Sequence, residues 1–255
     1  MTVKLLMAIT FCGAALYIVS AFLIATGKLP KLMNVLYAGG MCINLFLVLR
    51  NAVINGYVPF VSMYQVLTFH AVTMTFSAIY MCMVKKQMFI LKFFPALSGI
   101  ILVGVGFMSD SGAWHFPPAL DSPFFVPHVL LYMISYTLCA VSFVCCVWGM
   151  IFTDRAGECE NACGLLVKTA LPFMLSGMLC GATWANEVWG EFWTWDVKEC
   201  FSLLTLLFYS GYLHMRRVGR CRRFAKAFVI IGFFALVFTL LFVDMIPSDS
   251  LHTYS

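Results

Sequence analysis

Four of the six tryptophans in this chain fall within twelve residues: Trp184, Trp189, Trp193 and Trp195, in the string WANEVWGEFWTWDVKE. Indoles give large rigid faces that stack on planar aromatic ligands. Interleaved polar groups, here Glu187, Glu191, Asp196, Lys198 and Glu199, orient a charged rim in the way pockets for large cofactors require. An aromatic belt at the headgroup level is the bland alternative. A belt scatters one or two tryptophans over several helix ends and does not gather four in one segment. A helical segment would put Trp189 and Trp193 on one face, and an extended one Trp193 and Trp195. The spacing leaves both open.

The elements that carry this segment are membrane helices. Hydrophobic residues make up 62% of the 255 positions and charged residues 11%, against about 25% charged in soluble domains. Mean hydropathy is +0.94. A span takes roughly 20 apolar residues, and apolar runs at 5–26, 33–50, 59–84, 90–108, 127–152, 168–185, 198–215 and 227–246 predict an all-α, polytopic bundle of eight transmembrane helices. The first run, Leu5 to Thr26, follows a lone Lys4 without a small-residue cleavage pattern and is expected to stay as a span. The sequence shows no repeat, low-complexity tract or linker, so a single membrane domain over 1–255 is expected.

Cations sort by loop. Lys28, Lys31, Lys85, Lys86, Lys92, Arg155, Lys168, Arg216, Arg217, Arg220, Arg222, Arg223 and Lys226 fall on one side, and only Lys4, Arg50 and Lys198 on the other. The positive-inside rule puts the larger set in the cytoplasm. Both termini and the tryptophan loop at 184–199 are then outside. Topology thus explains the net charge of +5, and no nucleic-acid partner is expected. The eleven cysteines contain no CxxC pair, and most lie in apolar runs, where a thiol behaves as a small hydrophobe. Cys159 and Cys163 are expected in a short cytoplasmic loop.

The tryptophan string resembles the WWD signature of the cytochrome c assembly family of haem-handling membrane proteins, and its WD-x-KE ending is similar to that of the CcsA/ResC-type branch. Similar blocks follow in family order: VPFVSMYQVLTF (58–69), PPALDSPFFVPHVLLYMISY (117–136), YLHMR (212–216) and SLHTYS (250–255). Val197 stands where proline is expected after the WD, Cys200 and Phe201 replace Thr-Trp, and Gln65 replaces a common Glu.

The resemblance implies that His128 and His252, on the tryptophan side, are axial ligands of an external haem, since haem iron is commonly held by histidine. It gives His214, some 24 Å from the loop at about 1.5 Å per residue, a second, intramembrane haem site. His70, inside span three, and His115, beside Trp114, match no family role. Trp184, Trp189, Trp193, Trp195 and Asp196 complete the implied haem contacts, with Arg50 and Lys198 as the candidate propionate partners. The implied function is transport of haem b, as substrate, across a bacterial inner or thylakoid-type membrane. The haem is then presented to an apocytochrome c CxxCH motif, as in the haem-handling subunit of a holocytochrome c synthase (haem lyase), beside a separate CcsB/ResB-type partner. Rival readings are a small-molecule transporter, which calls for broken helices at midplane, and a membrane electron carrier, which calls for paired intramembrane histidines.

Overall fold

The computed structural model describes residues 2–108, 115–218 and 221–242, and among them every regular element is helical. The long helices are α1 (Val3–Thr26), α2 (Pro30–Asn55), α3 (Met63–Met83), α4 (Phe93–Gly106), α5 (Phe125–Ile151), α6 (Ala156–Trp189), α7 (Val197–Arg217) and α8 (Ala225–Leu241). Seven segments are long and apolar enough to cross a membrane, α4 together with the short turn before it. The helix outside that set is α7, which opens on Lys198 and Glu199 and closes on His214, Arg216 and Arg217. Its buried residues are Glu199, Thr205, Tyr209 and Tyr212, while Leu204 and Leu207 are exposed. A helix that turns its polar groups inward and its leucines outward suits a lipid surround, where polar side chains find partners only inside a bundle. The protein is an integral membrane helix bundle, as its composition predicts.

The chain divides into two compact units, Met1–Phe116 and Pro117–Ser255. In the first, α1 and α3 each pack against α2 and α4. Tyr17 is fully buried there, its ring against Gly40 and its hydroxyl 3.3 Å from Thr75 Oγ1. Gln65, which stands in place of the expected glutamate, closes a capping box: Ser62 Oγ accepts from the Gln65 N–H at 3.3 Å, and Gln65 Oε1 accepts from the Val61 and Ser62 amides at 2.9 and 3.4 Å. Either residue supplies that acceptor, so the substitution leaves the start of α3 intact. In the second unit, α5 and α7 each pack against α6 and α8. Phe143 stacks on Phe233 at 4.0 Å between α5 and α8, and Tyr209 of α7 donates to the Cys139 carbonyl of α5 at 3.3 Å.

The largest departure from the sequence reading is α6. A short loop was expected between the apolar runs 127–152 and 168–185; instead one helix runs 34 residues with Pro172 in its interior. At 1.5 Å per residue it is about 51 Å long, against a hydrocarbon core of about 30 Å. The stretch AGECENACGLLVKTA holds no proline and has Ala and Leu to carry a helix through a polar patch. Cys159 and Cys163 are therefore buried on α6, one turn apart.

Candidate functional site

All four tryptophans lie in the second unit, divided between a helix end and an extended turn. α6 ends at Trp189, and Gly190 caps it at φ 83° with its N–H on the Asn186 carbonyl at 3.0 Å. Residues 190–196 are non-helical, and α7 begins again from Asp196. Of the two pairings the spacing left open, the helical one does not form. The extended one does: the Trp193 and Trp195 rings meet edge to face at 5.8 Å.

The acidic pair in this segment holds the backbone. Asp196 Oδ1 accepts from the Glu199 N–H at 2.8 Å, and Glu199 Oε2 accepts from the Asp196 N–H at 3.3 Å. The same Oε2 takes the Thr194 N–H at 2.8 Å and the Thr194 hydroxyl at 3.2 Å. This D-x-x-E capping box fixes the angle at which the turn meets α7. Asp196, a haem contact by resemblance, serves in the structure to position the segment. Lys198 sits beside it in the first turn of α7.

The indoles have unlike environments. Trp184 is 3% exposed and donates its Nε1–H to the Ala119 carbonyl at 2.8 Å, with Phe125 at 5.1 Å. It belongs to the core. Trp189 meets it edge to face at 5.1 Å. Trp195 is 69% exposed and holds φ +60°, a backbone state that costs a non-glycine residue about 1–3 kcal/mol. Phe192 beside it is exposed too. Trp193 is half-buried, and its Nε1–H is buried with no hydrogen-bond partner. The segment thus presents Trp195 and Phe192 outward, while Trp193 turns its Nε1–H inward.

His128 lies beside Trp184, in the first turn of α5. Its Nδ1 is 2.8 Å from the Gly177 carbonyl of α6, and its ring lies 5.8 Å from Trp184 and 5.0 Å from Tyr132. A carbonyl only accepts, so Nδ1 carries the proton of this contact. Metal-binding histidines are oriented by this same arrangement, the second nitrogen donating to a backbone carbonyl. The ring reaches α6 because residue 181 is glycine: a Cβ there would strike His128 Nδ1 and Cε1. Gly177, one turn earlier, likewise admits Tyr132, 2.9 Å from where its Cβ would be. The pair has the G-x-x-x-G spacing of closely packed membrane helices, a signal the sequence reading missed and one that does not say which side chain packs there. The Ser122 hydroxyl donates to Glu187 at 2.5 Å and ties the segment before α5 to the end of α6.

The structure therefore brings His128 together with Trp184 and Trp189, and Trp193 with Trp195. His214 stands in the last turn of α7, exposed, eighteen residues from Asp196. Arg50 is on α2 in the first unit, where its Nη1 donates to Asn51 Oδ1 at 3.3 Å. His252 lies outside the described residues. His70 is buried in α3 with the Thr73 hydroxyl 3.5 Å from its Nδ1.

The family model described as "Cytochrome C assembly protein" matches residues 57–250. Among solved structures the chain is similar to one titled "Cytochrome c Heme Lyase CcmF", with a TM-score of 0.69 and 16% identity over 93% of this chain. It spans 46% of the length of that protein. At that identity the likeness is one of fold. No curated protein sequence matches the chain.

Proposed function

The chain belongs to the cytochrome c assembly protein family and acts in cytochrome c maturation, and from that premise we propose that it carries haem to the outer face of the membrane and holds it there for attachment. The observation that carries this reading is His128, seated through Nδ1–H on the Gly177 carbonyl with its ring tilted against Trp184, an orientation that suits Nε2 as the proposed iron ligand. The haem, as substrate, lies over Trp189, Trp193 and Trp195, with His128 and His252 as axial ligands. Lys198 and Arg50 are proposed for the propionates, and His214 for an earlier intramembrane stop. Each thiol of the apocytochrome CxxCH motif then adds across a haem vinyl group: the carbon–sulfur bond forms at one vinyl carbon and the thiol proton goes to the other, with no net electron transfer. The protein supplies orientation and iron ligation, and the haem the reacting groups. A CcsB/ResB-type membrane protein is the proposed partner, and the chain works as one membrane domain. None of the eight described helices is interrupted at its middle by a non-helical break, which favours this over a transporter with broken helices.

The test is the absorption spectrum of the purified protein, with reporter fusions for sidedness. A haem Soret band, a cytoplasmic signal from a fusion at position 219 and an external signal after position 255 are expected. A colourless protein, or a tryptophan segment on the cytoplasmic face, refutes the proposal.

The seat of His128 gives a further expectation. Gly181→Ala places a methyl group where the imidazole now lies, so the ring swings off the Gly177 carbonyl. Outer-shell orientation of this sort is worth about 10–100-fold in ligand affinity, so retained haem should fall by that factor while the helices remain. Haem titration of the variant measures it; an unchanged affinity means that the carbonyl contact does not orient the ligand.

A further inference from the structure

At the opposite end of the second unit from the tryptophans, a cavity of about 50 Å³ is lined by Glu160, Tyr212, Arg216, Arg222 and Lys226, and by Cys145, Cys146, Cys159 and Cys163. Three cations face a single carboxylate. Glu160 Oε1 is shared by two guanidinium groups, Arg216 at 3.6 Å and Arg222 at 2.8 Å. Arg216 is held close by the absence of a side chain at Gly164, where a Cβ would collide with the guanidinium. Tyr212 is 2% exposed, and its buried hydroxyl lies against the Cys163 thiol, a weak acceptor. Ala156 and Ala225 also line the cavity, their amides already taken by the Thr153 and Arg222 carbonyls of the short turns that precede α6 and α8. The described residues hold no group of His, Cys, Asp or Glu arranged for a metal ion, so the thiols here are lining rather than ligands.

We propose that this cavity binds one oxyanion group, a phosphate or a carboxylate, from a membrane-dwelling ligand. The cations set the charge, for they exceed their counter-ion, and the tyrosine hydroxyl, now against a weak thiol acceptor, is a donor that an oxyanion would draw more strongly. Size sets the limit. A water needs about 10–15 Å³ on this scale, so the cavity admits a small oxyanion with a water or two, and excludes a porphyrin ring. The ligand therefore inserts only its head and keeps its apolar body outside, against the exposed hydrophobic surface. Two sources share that chemistry: the phosphate of an anionic phospholipid, and a propionate of haem on its way to the outer site. The site is read from its own residues and does not depend on the tryptophan segment.

The experiment is thermal unfolding of the full chain in neutral detergent with four added probes: phosphatidylglycerol, phosphatidylcholine (whose phosphate is masked by an ammonium group), haem and haem dimethyl ester. Three proteins are compared: the unaltered chain, Tyr212→Phe, and the double variant Arg222→Gln with Lys226→Gln. Stabilisation by phosphatidylglycerol but not phosphatidylcholine, lost in the double variant and reduced in Tyr212→Phe, assigns the cavity to lipid. Stabilisation by haem but not by its dimethyl ester, lost in the same variants, assigns it to the propionate. Tyr212→Phe removes one hydroxyl and tests the site even where the double variant folds poorly. The inference fails if neither anionic probe outperforms its masked counterpart, or if the preference survives in both variants. Haem binding at the tryptophan site, measured by the Soret band, is unaffected by a failure here.

Discussion

Replacing Trp189, Trp193 and Trp195 together by alanine abolishes cytochrome c maturation while the protein still accumulates in the membrane. A well-placed aromatic pair is worth about 1 kcal/mol beyond its buried area, so three rings lost from one ligand weaken its hold by a hundredfold or more, at about 1.4 kcal/mol per factor of ten. Accumulation survives because none of the three rings is fully buried: Trp195 is 69% exposed, and Trp189 and Trp193 are half-buried. Trp184→Ala behaves in the opposite way. It empties a buried site and orphans the Ala119 carbonyl, at a cost of about 3–5 kcal/mol, so the chain itself becomes scarce. Trp195→Gly separates the roles most cleanly. Glycine adopts φ +60° without strain, so the turn is no less stable, yet maturation falls. Immunoblots of membranes beside haem-stained cytochrome c make the measurement. If maturation survives the triple replacement, these rings form an aromatic belt.

Losing either outer histidine leaves a five-coordinate, readily oxidised haem whose sixth ligand added imidazole restores. The cavity left by His128→Ala is bounded by the Gly177 carbonyl and the Trp184 ring, and imidazole can reproduce both contacts there. His252→Ala should behave alike if the two act on one iron. His214 is separated from Asp196 by about 27 Å of helix at 1.5 Å per residue, too far to touch the same iron. His214→Ala therefore lowers the amount of haem reaching the outer site without changing the spectrum of what arrives. Spectra and haem content of the three variants, with and without imidazole, decide the assignment. A changed outer coordination in His214→Ala, or unchanged spectra in the other two, overturns it.

The fold was legible wherever hydrophobicity alone sets structure, because a bilayer leaves a spanning chain little choice but helix. It was less legible where polar residues continue a helix beyond the membrane. In α6, Glu158, Glu160 and Lys168 resemble a loop by composition, but nothing there breaks the backbone. The tryptophan segment was located by residue type, yet its shape turned on Gly190 and on the Asp196–Glu199 box, both local signals present in the string. The division between a buried Trp184 and an exposed Trp195 had no local signal. It depends on Ala119 and Phe125, some sixty residues away. The seat of His128 depends likewise on Gly177 and Gly181, whose meaning appears only once α5 lies against α6.

α6 carries the seats of both ends: Gly164 under Arg216, Gly177 and Gly181 under Tyr132 and His128, then Trp184 and Trp189. Pro172 falls near the midpoint between Gly164 and Gly181, and its ring removes one rung of the backbone ladder there. The helix is thus a beam with one compliant joint, and a bend at that joint moves the anion cavity and the imidazole in concert. Because the beam is longer than the bilayer is thick, its tilt responds to membrane thickness. Thinner or thicker lipid should therefore alter both sites together, by mechanics and without any ligand.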